Sequence, residues 1–223
     1  MGNYDSFAEE YAKGTAEEEA EIESRRYYHS LLPANLQGTS ILDVGCGSGQ
    51  DAVYYAGQGA QVFGIDVSKK EIEMARRFGI GEFRVGDMKE LPYPSDNFDI
   101  VSSFYALQAS DNVPLALEEM IRVAKPKGTI LVLAKHPTRN LLEGWKNNGA
   151  MDYYRSGMVT SHILSGTITL SEPRHTLMEY LNPELLKKTE LQLFEELSDF
   201  PASEQIIDGL HYPTLFIMKL RKK

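Results

Sequence analysis

The sequence predicts an α/β fold: a doubly wound, mostly parallel seven-stranded sheet ending in an antiparallel C-terminal hairpin. Three observations predict it. Short apolar runs alternate with helical stretches from Ser40 to Ala134, the pattern of parallel strands joined by crossover helices. The first of these runs opens directly into a cluster of glycines, as at a strand-to-helix turn that meets a ligand. The link between the last two apolar runs is too short for a crossover helix and its turns, so that pair reads as antiparallel.

Taken in order, Tyr4–Leu32 is acidic and rich in Ala and Glu, a helical composition with a break near Gly14. Its second part places Ile22, Arg26 and His29 near one face, and Pro33 stops it. Ser40–Val44 reads as a buried strand, followed by helix from about Gln50 to Gly57. Gln61–Ile65 is a second strand, and the helix Val67–Phe78 takes Ser68 as its N-cap, with Ile72 and Ala75 at helical spacing. Gly81–Val85 and Phe98–Ser103 are the third and fourth strands, separated by the Pro-rich turn Leu91–Asn97. Asp111–Ala124 is a helix with Asp111 as the expected cap, ended by Lys125–Gly128, and Thr129–Ala134 is the fifth strand.

His136–Glu172 breaks this rhythm. It holds Trp145, the Tyr153–Tyr154 pair and several glycines with little periodicity, and a segment of this length outside the alternation reads as a cap. A helix over His175–Lys188 and strands over Leu191–Leu197 and Thr214–Leu220 complete the sheet. The expected divisions are an N-terminal helical lid (1–35), a ligand-binding core (36–135), a cap insertion (136–174) and a C-terminal completion of the sheet (175–223).

The bulk properties exclude some functions. A net charge of −9 with scattered basic residues is a poor match for nucleic acid, whose binding depends on neutralised phosphates. The apolar runs are strand-sized, far short of a membrane span. Cys46 is the only cysteine, so no internal disulfide forms, and polar residues follow Met1; the expected location is the cytoplasm. No metal site is expected.

The most informative stretch is LDVGCGSGQD, Leu42 to Asp51, where a strand delivers the chain into Gly45, Gly47 and Gly49. Such a loop brings bare peptide groups to a ligand, although a plain tight turn uses glycines too. The dinucleotide fingerprint counted from Gly45 and Gly47 wants a third glycine where Gln50 stands. A shifted register, Gly47–Gly49–Ala52, meets the looser form but starts late after the strand. The Gly-Lys-Ser/Thr of a P-loop is missing. Asp66 ends the second strand, where an acid accepts from ribose hydroxyls or caps the next helix. Asp87 follows the third strand, where a carboxylate can accept an adenine amine while Met88 offers an amide and an apolar side chain.

In this order and spacing the chain resembles the class I S-adenosylmethionine (SAM)-dependent methyltransferases, most closely the type 11 or UbiE-like small-molecule branch. The stretches that carry the resemblance are ILDVGCGSGQD, VFGIDVS, VGDMKELPYPSDNFDIV, SSFYALQ and IRVAKPKGTILVL, with PRHTLMEYLN further on. It implies a Rossmann-like fold, SAM as cofactor, and methyl transfer to a small-molecule acceptor. By that resemblance Asp43, Gly45, Cys46, Gly47 and Gly49 contact the methionine part and Asp66 the ribose, with Val67 among the cofactor-binding residues. Asp87 and Met88 take the adenine, Ser103 and Phe104 flank the sulfonium, and Tyr11 is a lid contact. Two positions depart from the pattern: Gln108 stands where many relatives carry histidine, and Lys127 replaces the first glycine of a Pro-Gly-Gly turn.

In-line displacement at a sulfonium needs alignment and exclusion of water more than a catalytic side chain. His136, directly after strand five, is the candidate base; His175 reads as a surface or capping residue. The alternatives are a SAM-fold enzyme with other chemistry, an NAD-dependent oxidoreductase, and a non-catalytic SAM-binding module.

Overall fold

The computed structural model describes residues 4–17, 19–149, 152–163, 168–198 and 209–223. A short 3-10 turn (Tyr4–Ser6) leads into helices α1 (Ala8–Glu17) and α2 (Glu19–Ser30). The alternating part follows as β1 (Ser40–Val44), α3 (Gln50–Gly57), β2 (Gln61–Asp66), α4 (Lys69–Arg76) and β3 (Gly81–Val85). Then come β4 (Phe98–Phe104), α5 (Val113–Val123), β5 (Ala124–Lys135) and α6 (Pro137–Asn148). A hairpin of β6 (Met158–Ile163) and β7 (Ile168–Pro173) precedes α7 (Leu177–Tyr180), α8 (Pro183–Lys188), β8 (Thr189–Leu197) and β9 (Leu215–Lys222).

Seven strands form one sheet in the order β3-β2-β1-β4-β5-β9-β8. The first five are parallel, whereas β9 runs antiparallel to both β5 and β8. The expected doubly wound sheet with an antiparallel C-terminal pair is therefore the observed one. Its strands alternate between two buried faces, because successive side chains of a strand point to opposite sides. Ile130, Val132 and Ala134 of β5 pack with Leu117 and Met120 of α5 on one face. Leu131 and Leu133 pack with Tyr28, Tyr55 and Ile72 on the other. At the amino edge, Asp99 accepts from Ser40 N at 2.9 Å and pairs with Lys125 at 2.8 Å, which ties β4 to its neighbours away from the ligand-binding edge.

Several elements differ from expectation for local reasons. Helix α1 runs through Gly14 rather than breaking there. The cap of α5 is Asn112, whose side chain accepts from Leu115 N at 3.1 Å, rather than Asp111. The single helix expected over His175–Lys188 is two short ones, because Asn182 precedes Pro183 and a residue before proline is driven out of helical conformation. The insertion after β5 is also ordered: α6 is capped by His136 and closed by Gly149, and β6 pairs with β7 in register Met158↔Pro173 to Ile163↔Ile168. The buried Lys135–Glu172 pair, 2.5 Å, fastens this hairpin to the end of β5.

Near the start of β5, Lys127 is exposed and holds φ at 64°, a left-handed conformation that costs a residue with a Cβ about 1–2 kcal/mol. Lys127→Gly is expected to stabilise the protein by about 1 kcal/mol, seen as a rise of roughly 2–4 °C in the thermal midpoint.

Candidate functional site

The order of the strands reverses between β1 and β4, and the loops after them part to leave a crevice at the carboxyl edge of the sheet. The cavity there is lined by Gly45–Ser48 after β1, Asp66 and Val67 after β2, Gly86 and Met88 after β3, and Phe104–Ala106 after β4. Gly45 shows why the loop is built of glycine: φ is 74°, and a Cβ there would stand 2.2 Å from the Cβ of Ala106. No residue with a side chain fits that approach. Gly47 and Gly49 are also left-handed, at 49° and 88°, and Gly49 is the N-cap of α3.

Asp66 fixes the loop to the next helix. One carboxylate oxygen accepts from Gly47 N at 2.9 Å and the other from Ser68 N at 2.8 Å. Burial nevertheless raises its pKa above the ordinary value, with those amide hydrogen bonds opposing. Beneath the loop lie two further buried carboxyls. Asp43 is 1% exposed; burial, then the charge of Asp51, pushes its pKa well up, and Ser102 Oγ donates to it at 3.2 Å. Burial works on Asp51 too, but Arg25 and His29 outweigh it and hold Asp51 below the ordinary value. Like charges at close quarters divide this way, one pKa pushed up and the other held down.

The partners of Asp51 come from α2. Arg25 donates to one oxygen and His29 Nε2 lies 2.7 Å from the other, while the His29 ring stacks on Tyr54 at 3.8 Å. Arg25 also sits 4.3 Å over the ring of Phe104. Tyr28 between them donates to Leu131 O at 2.8 Å and accepts from Ser103 N at 3.1 Å. Helix α1 docks through Gln50, whose amide donates to Ala12 O at 2.9 Å. Ala12 and Arg25 thereby become part of the cavity lining. The face of α2 that matters is Arg25, Tyr28 and His29; Arg26, expected on that face, is exposed.

Of the residues singled out in the sequence, Gly45, Cys46, Gly47, Asp66, Val67, Met88 and Phe104 line the cavity. Asp43, Gly49, Asp87, Ser103 and His136 do not. Asp43 and Ser103 pack behind the loop, and Ser103 Oγ donates to Val44 O at 3.0 Å. Asp87 accepts from Lys89 N at 2.9 Å beside the cavity. The side chain of Tyr11 lies outside the described residues. His136 accepts from Thr138 N at 3.0 Å as the cap of α6, and its Nε2 faces Glu196 at 2.9 Å. That geometry makes it a capping residue and leaves it no place at the cavity as a base. His175 is likewise held between Glu179 and Gln108 O, at 2.9 and 3.1 Å. No described residue of the insertion 136–174 lines the cavity; Tyr153 is turned to accept from Leu177 N at 2.7 Å.

Sequence reasoning missed Arg25, Gln50, Asp51, Glu71, Tyr105 and Ala109, all of which line the cavity. Only Asp51 carried a local signal, as the acid closing the glycine stretch. Glu71 is 3% exposed, and burial, then the charges of Asp66 and Asp5, raise its pKa to about 8. Between pH 4.5, its ordinary value, and 8 the folded protein therefore keeps a proton that the unfolded chain has lost. Stability falls as pH rises through that window and levels above it. Glu71→Gln removes the slope: denaturant unfolding is expected to find it about 1–3 kcal/mol more stable than the parent at pH 8.5, with the gap shrinking towards pH 5.

Comparison with known proteins places this arrangement. A family model described as a methyltransferase domain matches residues 42–132. A malonyl-[acyl-carrier protein] O-methyltransferase from Pectobacterium atrosepticum is 32% identical over 120 residues, 52% of this chain and 47% of that protein. The match thus spans about half the length of that relative. Among solved structures, an S-adenosylmethionine-dependent methyltransferase from Mesorhizobium loti superposes with a TM-score of 0.72 at 24% identity, covering 91% of this chain and 98% of the other. The [4+2]-cyclase SpnF shares the fold with a TM-score of 0.62 at 19% identity, covering 91% and 80%. Residues 42–132 thus match a methyltransferase domain, and the sheet built around them has the fold of SAM-dependent methyltransferases of known structure.

Proposed function

We propose that the protein binds SAM in this cavity and transfers its methyl group to a small-molecule acceptor by in-line displacement. The observation that carries the reading is the convergence of four strand ends on one cavity: the glycine loop, Asp66, Gly86 with Met88, and Phe104–Ala106. The donor set suits the cofactor. Each oxygen of Asp66 is engaged by one amide and keeps a lone pair for a ribose hydroxyl. Met88 offers an apolar side to adenine, with Asp87 at the rim for its amine. The loop peptides and the Arg25 guanidinium, held by Asp51, suit the carboxylate of the methionine part.

When bound, SAM supplies a methyl group already activated on a sulfonium. The chain's task is then orientation and exclusion of water. Ala12 and Arg25 close the cavity from the N-terminal helices, and Tyr105, Ala106 and Ala109 offer the acceptor an aromatic and apolar wall. Tyr105 holds φ at 50°, with its carbonyl taking the Gln108 amide at 2.6 Å, so this wall is set in a strained backbone. No histidine or lysine is among the described lining residues; its ionisable acids are Asp51, Asp66 and Glu71. The net charge of −9 favours a small molecule over nucleic acid. The single cysteine suits a reducing compartment such as the cytoplasm, and no helix among the described residues is long and apolar enough to cross a membrane. Non-methylating chemistry on the same cofactor is the second reading, favoured by the shared fold of the cyclase.

Calorimetry with SAM, S-adenosylhomocysteine and NAD tests the cofactor, and a labelled-methyl screen over metabolite pools tests the transfer. The two adenosyl compounds are expected to bind, and Asp66→Ala to weaken both by about 1–3 kcal/mol. Binding of NAD alone would overturn the reading; cofactor binding with no label transferred to any pool would favour the second one.

A further inference from the structure

The Ser68-Lys69-Lys70-Glu71 start of α4 has the form of a capping box, in which the third helical residue returns its carboxylate to the cap's own amide. Here only half of the box is made. Ser68 Oγ accepts from Glu71 N at 3.2 Å, but Ser68 N donates instead to Asp66 Oδ1 at 2.8 Å. Glu71 is displaced from its capping role, and both of its carboxyl oxygens are buried without a hydrogen-bond partner. The side chain lines the cavity, with Oε2 3.7 Å from where a side chain would begin at Gly47. Gly47 is the residue whose amide Asp66 holds, so the two acids and the loop peptide meet at one corner. A buried carboxyl with no partner is costly to keep, unless a ligand completes it.

Resting on the reading of the cavity as a SAM site, we propose that Glu71, in its neutral form, donates a hydrogen bond to a ribose hydroxyl of the adenosyl group beside Asp66. Asp66 is the acceptor of the pair and Glu71 the donor, so the corner takes a free diol and rejects an anionic substituent on the ribose. The electrostatics agree. The groups facing Glu71 are Asp66 from β2, Asp5 from the N-terminal 3-10 turn and the Cys46 thiol from the loop. Arg25 and Asp51 line the same cavity but are paired with each other. Glu9 and Glu10 of α1 are exposed, Arg76 on α4 is turned to the carbonyl of Phe83, and Arg84 on β3 to the ring of Tyr93. Burial first, and then the charges of Asp66 and Asp5, raise the Glu71 pKa to about 8.

The test is calorimetry on the full chain with S-adenosylhomocysteine and with methylthioadenosine, which has the ribose but no amino-acid group to titrate. Affinity of the parent for methylthioadenosine is expected to fall about tenfold from pH 7 to pH 9, since only the protonated form donates. Glu71→Gln, which always donates, is expected to flatten that profile and keep the neutral-pH affinity within about threefold. Glu71→Leu, matched in size but unable to donate, is expected to be weaker at pH 7 by about threefold to tenfold. Circular dichroism and the unfolding midpoint confirm that both variants are folded. If the parent binds S-adenosylhomocysteine but all three proteins show the same pH profile, the role of Glu71 is overturned and the cofactor reading stands. If the parent binds neither ligand at any pH, the cofactor reading fails and takes this proposal with it.

Discussion

The close approach of Gly45 to Ala106 is the constraint on which the rest of the site depends. Strands β1 and β4 are neighbours, yet their chains leave the sheet in opposite directions, to α3 on one face and towards α5 on the other. The peptide after β1 must therefore turn at once, within contact of the chain after β4. A side chain at Gly45 would force the two ends apart and undo the amide contacts of Gly45 and Cys46 with Ile65 O, at 2.8 and 3.1 Å. With them would go the position of Gly47, the grip of Asp66 on it, and the start of α4. The cavity is a consequence of that turn rather than a feature added to it.

Around the turn, buried carboxyls are sorted by their partners. Arg25 and His29 hold the pKa of Asp51 down, burial and then Asp51 push that of Asp43 up, and burial, then Asp66 and Asp5, push that of Glu71 up. The cost of burying Asp51 is offset by its two partners, and that pairing also binds α2 to the first turn of α3. The N-terminal helix α2 is thus docked by charge at the loop and by Tyr28 at the sheet.

The insertion after β5 is a different kind of structure from the one its composition suggests. Its helix and hairpin are anchored by the buried Lys135 at the end of β5, which faces Glu172 at 2.5 Å and Glu143 at 3.8 Å. Its aromatic residues divide: Tyr153 is tied to α7, while Tyr154 is 85% exposed and Trp145 41%. The cofactor cavity is complete without it, among the described residues. A fold that also serves a [4+2]-cyclase leaves the chemistry to such details: which wall meets the second substrate, and what that wall can donate or accept.

What the sequence determined by itself was local and periodic. Apolar alternation marked the strands, and Pro33 and the Lys125–Gly128 stretch marked where helices stop. Gly45, Gly47, Asp66 and Met88 were legible because each sits at a strand end or within three residues of one, where chain direction alone sends it to the binding edge. Arg25, Ala109 and Glu71 were not legible, since their place depends on contacts across the fold. Arg25 needs Asp51, which is 26 residues distant in the chain. Glu71 reads as half of a helix cap until Asp66, arriving from the end of β2, takes the amide it would have held. His136 erred the other way: its position after β5 suggested a base, but α6 began there and its first amides claimed the ring. Spacing along the chain determines which backbone groups come to an edge, while only tertiary structure decides which side chains are left unpaired there, because each partner is chosen in competition.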